Sequence, residues 1–253
     1  MHKGNHDSEL WIRRFIPVAD PEVRLICFPH AGGSASFYHP FSRELSPLVE
    51  ALAVQYPGRQ DRRAEGCATD LADLADRIGE ALTPWTDRPF ALFGHSMGAT
   101  LAYEVARGLE AAGRAPDALF VSARRAPHRN RNDGWHLSPD SDLIADLKAL
   151  DGTGTPIYDD PEFLALILPV LRSDYRAAET YRHRPGPKLN CPITALAGDA
   201  DPRVPVDELR HWGDHTAGRF DLQVFPGGHF YLTNQQARVL RVVIDRLLGV
   251  GAG

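Results

Sequence analysis

Three features predict an α/β protein with a mostly parallel sheet covered by helices on both faces. Short apolar runs rich in β formers alternate with stretches of helical periodicity. One long segment breaks the alternation with helical patterning alone. One β-forming run ends in a serine flanked by glycines just before a helix, in "FALFGHSMGATLAYEVARGLEAAG" at 90–113.

The elements follow in order. VRLICF (23–28) is a strand, and ALAVQY (51–56) a weaker one. Leu71, Leu74, Ala75, Ile78 and Leu82 recur at helical spacing, with Thr69 or Asp70 as the cap. A strand at 90–93 leads into a helix at 97–112, which Gly113 ends. Strands follow at 118–122, at 192–197 (PITALA) and at 221–225. A short helix at 206–212 and a closing helix at 233–248 complete the pattern. Continuous apolar strands separated by helices imply parallel pairing. From about His128 to Tyr181 no strand pattern occurs. Helices at 143–150 and 161–181 flank a turn-rich piece, GTGTP, and Pro185-Gly186-Pro187 marks the return. The expected organisation is a core at 1–127, a helical lid insertion at 128–181 and the rest of the core at 182–253.

Composition narrows the class. The 253 residues, 43% hydrophobic and 24% charged, suit one globular domain with an insertion. A net charge of −5 argues against non-specific nucleic-acid binding. The cysteines, Cys27, Cys67 and Cys191, are odd in number and lack metal-motif spacing. Cys27 and Cys191 sit in or beside apolar runs and read as buried free thiols in a reducing compartment. The N-terminus has no apolar core of signal-peptide length, and no run approaches a membrane span. The expected location is the cytoplasm and the expected state a monomer.

Gly94-His95-Ser96-Met97-Gly98 fits G-x-S-x-G between strand and helix. A sharp strand–turn–helix strains the serine backbone and pushes its hydroxyl outward. Bulky neighbours two residues away would clash. Met97 opens the helix, so its amide is an unpaired N-terminal donor beside Ser96. Such a serine is a candidate nucleophile, which needs a base and an orienting acid. In this architecture they follow in the order serine, acid, histidine. "ALAGDADPRV" offers Asp199 and Asp201 after a strand; Asp201 is favoured, because Asp199 lies nearer the strand and suits the turn. "VFPGGHFYL" places His229 before the last helix. Ala31, in "CFPHAGGSASFY", is the expected second oxyanion donor, with His30 orienting the loop through a side-chain hydrogen bond. His95 is expected to pack rather than react. His211 and His215, four apart with no evident third ligand, read as solvated surface rather than a metal site. No metal or cofactor is required.

The chain resembles the type II thioesterases, the stand-alone α/β-hydrolases that accompany polyketide and nonribosomal peptide synthetases. The resemblance runs from about Ile16 to Leu248. It rests on "FPHAGGSASFY" (28–38), "VQYPGRQDRR" (54–63), "FGHSMGATLAYEVAR" (93–107), "LPVLRSDYRAAETY" (168–181), "CPITALAGDADPRV" (191–204) and "FPGGHFYL" (225–232). It implies Ser96 as nucleophile, Asp201 as acid, His229 as base, and the Ala31 and Met97 amides as oxyanion hole. The implied substrate is an acyl or aminoacyl group on the phosphopantetheine arm of an acyl or peptidyl carrier protein. "LDGTGTPIYDD" looks longer than the usual G-T-P turn, a departure bearing on lid shape.

Arg124, Arg125, Arg129 and Arg131 lie in "ARRAPHRNR", between a core strand and the lid. They are candidates for docking an acidic carrier domain or the phosphate of its arm. Arg59, Arg62 and Arg63 are weaker candidates that suit loop support. Tyr158, Phe163, Leu164, Ile167 and Tyr175 are candidates for an acyl pocket, against the alternative of lid–body packing. The same triad would also serve a general esterase, an acyl-CoA thioesterase or an acyltransferase. A non-catalytic carrier-binding protein would be expected to have lost a triad residue, and none is lost.

Overall fold

A computed structural model describes residues 9–151 and 156–249. Seven strands form one sheet: β1 (Ile12–Arg13), β2 (Val23–Phe28), β3 (Val49–Val54), β4 (Phe90–His95), β5 (Ala118–Ser122), β6 (Ile193–Gly198) and β7 (Phe220–Phe225). Their order is β1-β3-β2-β4-β5-β6-β7. All neighbours run parallel except β1, which pairs antiparallel with β3. Every residue of β2 through β6 is buried, which explains their largely apolar runs.

Side chains alternate between two cores. Ile26, Leu52, Leu92 and Leu119 face one, with α2 (Leu71–Leu82) and α3 (Met97–Ala111). Leu25, Ala51, Phe93 and Phe120 face the other, with α1 (His39–Leu45) and the closing helix. The five apolar residues expected along α2 are its buried ones, and Asp70 is the cap, accepting from the Asp73 amide at 2.9 Å. A charge pair crosses the β2–β3 ladder, where Arg24 meets the fully buried Glu50 at 3.2 Å.

Several boundaries differ from expectation. β3 begins two residues early, because Val49 pairs with Val23 at the start of β2, and it ends two early, because the last pair of that ladder is Cys27 with Ala53. Gln55 and Tyr56 stay buried, but Gln55 pairs with Trp11 and the Tyr56 hydroxyl donates to the Pro29 carbonyl at 3.0 Å. α1, with Pro40 in its first turn, was not foreseen. The helix expected at 206–212 is a single α turn, α6 (Val206–Leu209), continued as 3₁₀ helix through His215. The closing helix is broken at Gln235 into α7 (Tyr231–Asn234) and α8 (Gln236–Leu248).

Between β5 and β6 the described residues carry α4 (Asp140–Asp151) and α5 (Pro161–Thr180). Asp160 caps α5 by accepting from the Glu162 amide at 2.9 Å. Pro169 lies inside α5 and removes one helical hydrogen bond. Before it, Pro161–Leu168 are exposed or half-buried; beyond it, Val170, Leu171, Asp174, Tyr175, Ala177 and Ala178 are buried. Residues 152–155, which carry most of the turn thought unusual, lie outside the described residues. Among the described residues no helix is long and apolar enough to cross a membrane.

Candidate active site

β4 delivers Ser96 in a backbone conformation unusual for a non-glycine residue, φ 54° and ψ −122°. Such a conformation costs about 1–3 kcal/mol and persists only where the surroundings impose it. Here the Ser96 amide donates to the Ser122 carbonyl at 2.8 Å, and the Ser96 carbonyl accepts from Ala99 at 2.9 Å. The flanking glycines are steric necessities. A Cβ on Gly94 would sit 2.2 Å from the Gly98 carbonyl oxygen, and one on Gly98 would sit 2.1 Å from that of Phe28. Close approach to β2 thus brings the start of α3 beside the loop that follows β2.

The two aspartates after β6 divide their work. Asp199 accepts from the Gly227 amide at 2.9 Å and ties the turn. Asp201 Oδ1 accepts from the Arg203 and Val204 amides at 2.8 and 3.2 Å, and Oδ2 lies 2.8 Å from His229 Nδ1. Both side chains of the Asp201–His229 pair are buried. With Nδ1 donating to the carboxylate, Nε2 of neutral His229 is left as the acceptor. Ala31, Ser96, Met97 and His229 line one cavity of about 460 Å³.

The loop after β2 is pinned at several points. Tyr38 donates to the Phe28 carbonyl at 2.9 Å, and Gly33 donates to the His30 carbonyl at 2.9 Å. His30 does not support the loop by a side-chain hydrogen bond, as the sequence suggested. Its Nδ1 is buried without a partner, and the ring packs edge-on against Phe37 and Phe230, centroids 4.7 and 4.8 Å away. Desolvation, helped by His229 and Arg59, pushes its pKa down to about 3. The ring is therefore an aromatic spacer here, and a Cβ on Gly33 would strike it at 2.8 Å. His95 packs as expected. It is fully buried, hydrogen-bonded through Nδ1 to Ser122 at 2.9 Å, and Ser122 continues to Tyr231 at 2.7 Å. Burial holds the His95 pKa well below the usual histidine range.

A second cavity of about 140 Å³ shares Ala31, Ser96, Leu150, Tyr175, Arg203 and His229 with the first. Its other walls include Leu147, Tyr158, Phe163, Ile167 and Leu171. Four of the five candidate acyl-pocket residues thus reach it; Leu164 does not. The larger cavity has a mixed lining and carries Arg124, Arg125 and Arg131 but not Arg129. Arg124 is engaged internally, donating to Thr100 at 3.1 Å and Asn130 at 2.7 Å. Arg129 and Arg131 each reach Glu208 at 3.3 Å, and Arg125 approaches it at 4.0 Å. Three cations therefore share one carboxylate. Arg59 and Arg62 serve loop structure: Arg59 pairs with Asp174, and Arg62 with Glu65 at 2.7 Å.

His215 is not solvated surface. It is buried, with Nδ1 3.0 Å from the Tyr103 hydroxyl and Nε2 2.7 Å from His128 Nδ1. Its missed partners, Tyr103 and His128, lie 112 and 87 residues away, beyond any local pattern. His211 is half-buried, and with the exposed His128 and Asp214 it places one potential ligand atom each within 4.8 Å. None of these residues lines either cavity.

A serine raised on the elbow of a mostly parallel sheet, with a buried aspartate–histidine pair after later strands, places the chain in the α/β-hydrolase class. Solved structures narrow that class. The type II thioesterase BorB from the borrelidin biosynthetic cluster is 52% identical, covers 94% of this chain and 98% of its own, and superposes with a TM-score of 0.89. YbtT, a type II thioesterase from the yersiniabactin NRPS/PKS pathway, is 28% identical over 94% of this chain and 98% of its own, with a TM-score of 0.85. Thioesterase PikA5 of Streptomyces venezuelae is 51% identical over 246 residues, 96% of this chain and 88% of the relative. The thioesterase domain family matches residues 23–247, and the chain belongs to that family. It is a hydrolase of thioesters.

Proposed function

We propose that this protein is a type II thioesterase that removes aberrant or stalled acyl and aminoacyl groups from phosphopantetheine arms of carrier proteins in polyketide or nonribosomal peptide biosynthesis. The observation that carries this reading is the buried Asp201–His229 pair opening onto the same cavity as the strained Ser96. His229 Nε2 takes the Ser96 proton as Oγ attacks the thioester carbonyl. The Ala31 and Met97 amides receive the charge on the carbonyl oxygen; neither donates elsewhere among the described residues. Collapse of the tetrahedral intermediate breaks the C–S bond, and His229 returns the proton to the departing thiol. Water, deprotonated by His229, then cleaves the acyl-serine and regenerates Ser96.

The two cavities suit the two parts of such a substrate. The smaller, more apolar one beneath α4 and α5 suits an acyl group, and the larger one, with Arg124, Arg125 and Arg131 on its walls, suits the arm. Residues 128–181 act as the lid over both. Arg125, Arg129 and Arg131, which share the Glu208 carboxylate, form the candidate dock for the arm's phosphate or an acidic carrier face. A fluorophosphonate probe should label Ser96 and fail on Ser96→Ala. Matched acyl groups on a carrier protein, on CoA and on a short pantetheine mimic test the substrate class. A strong carrier advantage supports the editing role, and equal rates on all three reduce the protein to a general thioesterase.

A further inference from the structure

The turn His30-Ala31-Gly32-Gly33 carries the expected oxyanion donor, yet part of its support comes from the helical insertion. Asp174, on the inner half of α5, is almost wholly buried. Its Oδ2 accepts from the Gly32 amide at 2.7 Å, across 142 residues of sequence. The same carboxylate receives a two-pronged pair from Arg59, Nη1 to Oδ2 and Nη2 to Oδ1, both at 2.8 Å. Arg59 Nη1 also donates to the Gly33 carbonyl at 2.9 Å, and its guanidinium lies over the Tyr56 ring at 5.1 Å. Tyr56 in turn holds the Pro29 carbonyl. Gly32 needs its positive φ of 74°, and Leu171, one turn before Asp174, packs so closely that an added Cβ would lie 3.2 Å from it.

These contacts fix two consecutive peptide planes. The His30–Ala31 plane is held through the His30 carbonyl, which accepts from Gly33. The Ala31–Gly32 plane is held through the Gly32 amide, which donates to Asp174. The Ala31 amide lies between the two fixed points, and its residue lines both cavities beside Ser96. We propose that Asp174 is a positioning residue for the oxyanion hole: clamped by Arg59, its carboxylate holds the Gly32 amide and so aims the Ala31 amide at the acyl oxygen. The inner half of α5 is then part of the catalytic apparatus, not only its cover. The role rests on Ser96 acting as the nucleophile.

The charge on Asp174 is essential to this geometry because every partner is a donor. Asparagine would turn its NH₂ toward Arg59 or toward Gly32, and neither can accept. The test uses the full chain, a short pantetheine thioester, and a trifluoromethyl ketone whose adduct with serine places an oxyanion in the hole. Asp174→Asn should lower kcat about 30-fold with KM within about twofold, and weaken the ketone by the same factor, at a temperature where the variant is folded. A folded variant with kcat within about threefold of the parent overturns the proposal. So does a loss of kcat without a matching loss of ketone affinity. If Asp174→Asn fails to fold, the double variant Arg59→Met, Asp174→Leu removes both buried charges together. It should show the same parallel losses, and parental kcat in it overturns the proposal. Failure of the parent to take a fluorophosphonate at Ser96 is a separate result: it removes the serine reading itself, and the positioning role with it.

Discussion

The two walls of the candidate site are built by different rules. The wall from the sheet is made of buried groups that constrain one another: the Ser96 elbow, the Asp201–His229 pair, and the His95–Ser122–Tyr231 chain. The wall from the insertion divides at Pro169. Inward of it, α5 is tied down by Asp174, and by Ser173 donating to the Ala68 carbonyl at 3.0 Å. Outward of it, α5 is exposed or half-buried, and it offers Phe163 and Ile167 to the smaller cavity. The difference teaches where tolerance lies. On the proposed function, chemistry would rest on groups held by several buried partners, and acyl selectivity on the half-buried side chains of the outer half of α5.

The sharpest way to break this comparison is to remove an orienting charge from the sheet wall. Asp201→Asn would present an amide NH₂ to donors on one side or the other and disturb the His229 tautomer. The expected result is a fall in kcat of about 10⁴-fold with the fold intact, read from thioester hydrolysis and circular dichroism. A change below about tenfold would remove Asp201 from the proposed triad.

Next comes the elbow. Gly98→Ala puts a methyl group against the backbone oxygen of Phe28, where no side chain can yield. It should cost more than about 3 kcal/mol, measured by denaturant unfolding. Gly108, in the same helix with nothing near its added Cβ, is the control. Gly108→Ala should stabilise by a few tenths to about 1 kcal/mol.

The sequence makes the sheet wall more legible than the insertion, and the reason is physical. Strand ends and glycine-rich turns obey local rules, so the serine elbow, the split between Asp199 and Asp201, and the position of His229 all follow from short segments. The strand edges follow less well, because the length of β3 is set by its ladder with β2 rather than by its own residues. His30 and His215 were misjudged for a related reason. A ring in a loop looks polar from sequence, but aromatic neighbours or distant histidines decide whether it is wet. The Asp174–Gly32 contact lies wholly beyond local pattern, since only the folded insertion brings the two together.

Those enclosed histidines give a pH-dependent prediction. His30, pushed down to about 3, and His215, pushed down to about 4 by burial and by its histidine neighbours, stay neutral in the fold. In the unfolded chain each titrates near 6.5. As pH falls below about 6.5 the unfolded state binds more protons, so stability falls with pH. The loss continues until the folded-state values are reached. By pH 4 the His30 contribution is about 3 kcal/mol, and that of His215 is somewhat smaller because its pKa is lowered less. Chemical denaturation between pH 7 and 4 should show this decline, and His30→Phe should flatten it. An unchanged slope in that variant would mean that the ring is hydrated in solution.

The smallest expected effect tests the outer half of α5. Ile167 lines the smaller cavity from the outer half of α5, before Pro169. Ile167→Ala should enlarge that cavity without reaching the groups that hold Ser96 or His229. Selectivity should move toward longer or branched acyl chains by about five- to tenfold in kcat/KM, the value of one or two methylenes in an apolar pocket. kcat for the smallest acyl group should stay within about twofold. The ranking matters more than the size of either number. If Ile167→Ala depressed turnover of every substrate equally, the outer half of α5 would be coupled to the chemistry as tightly as the inner half, and Pro169 would no longer separate two kinds of wall. If only the acyl preference moves, the same helix does two jobs on either side of one residue, with orientation of the oxyanion loop inward and measurement of the acyl chain outward.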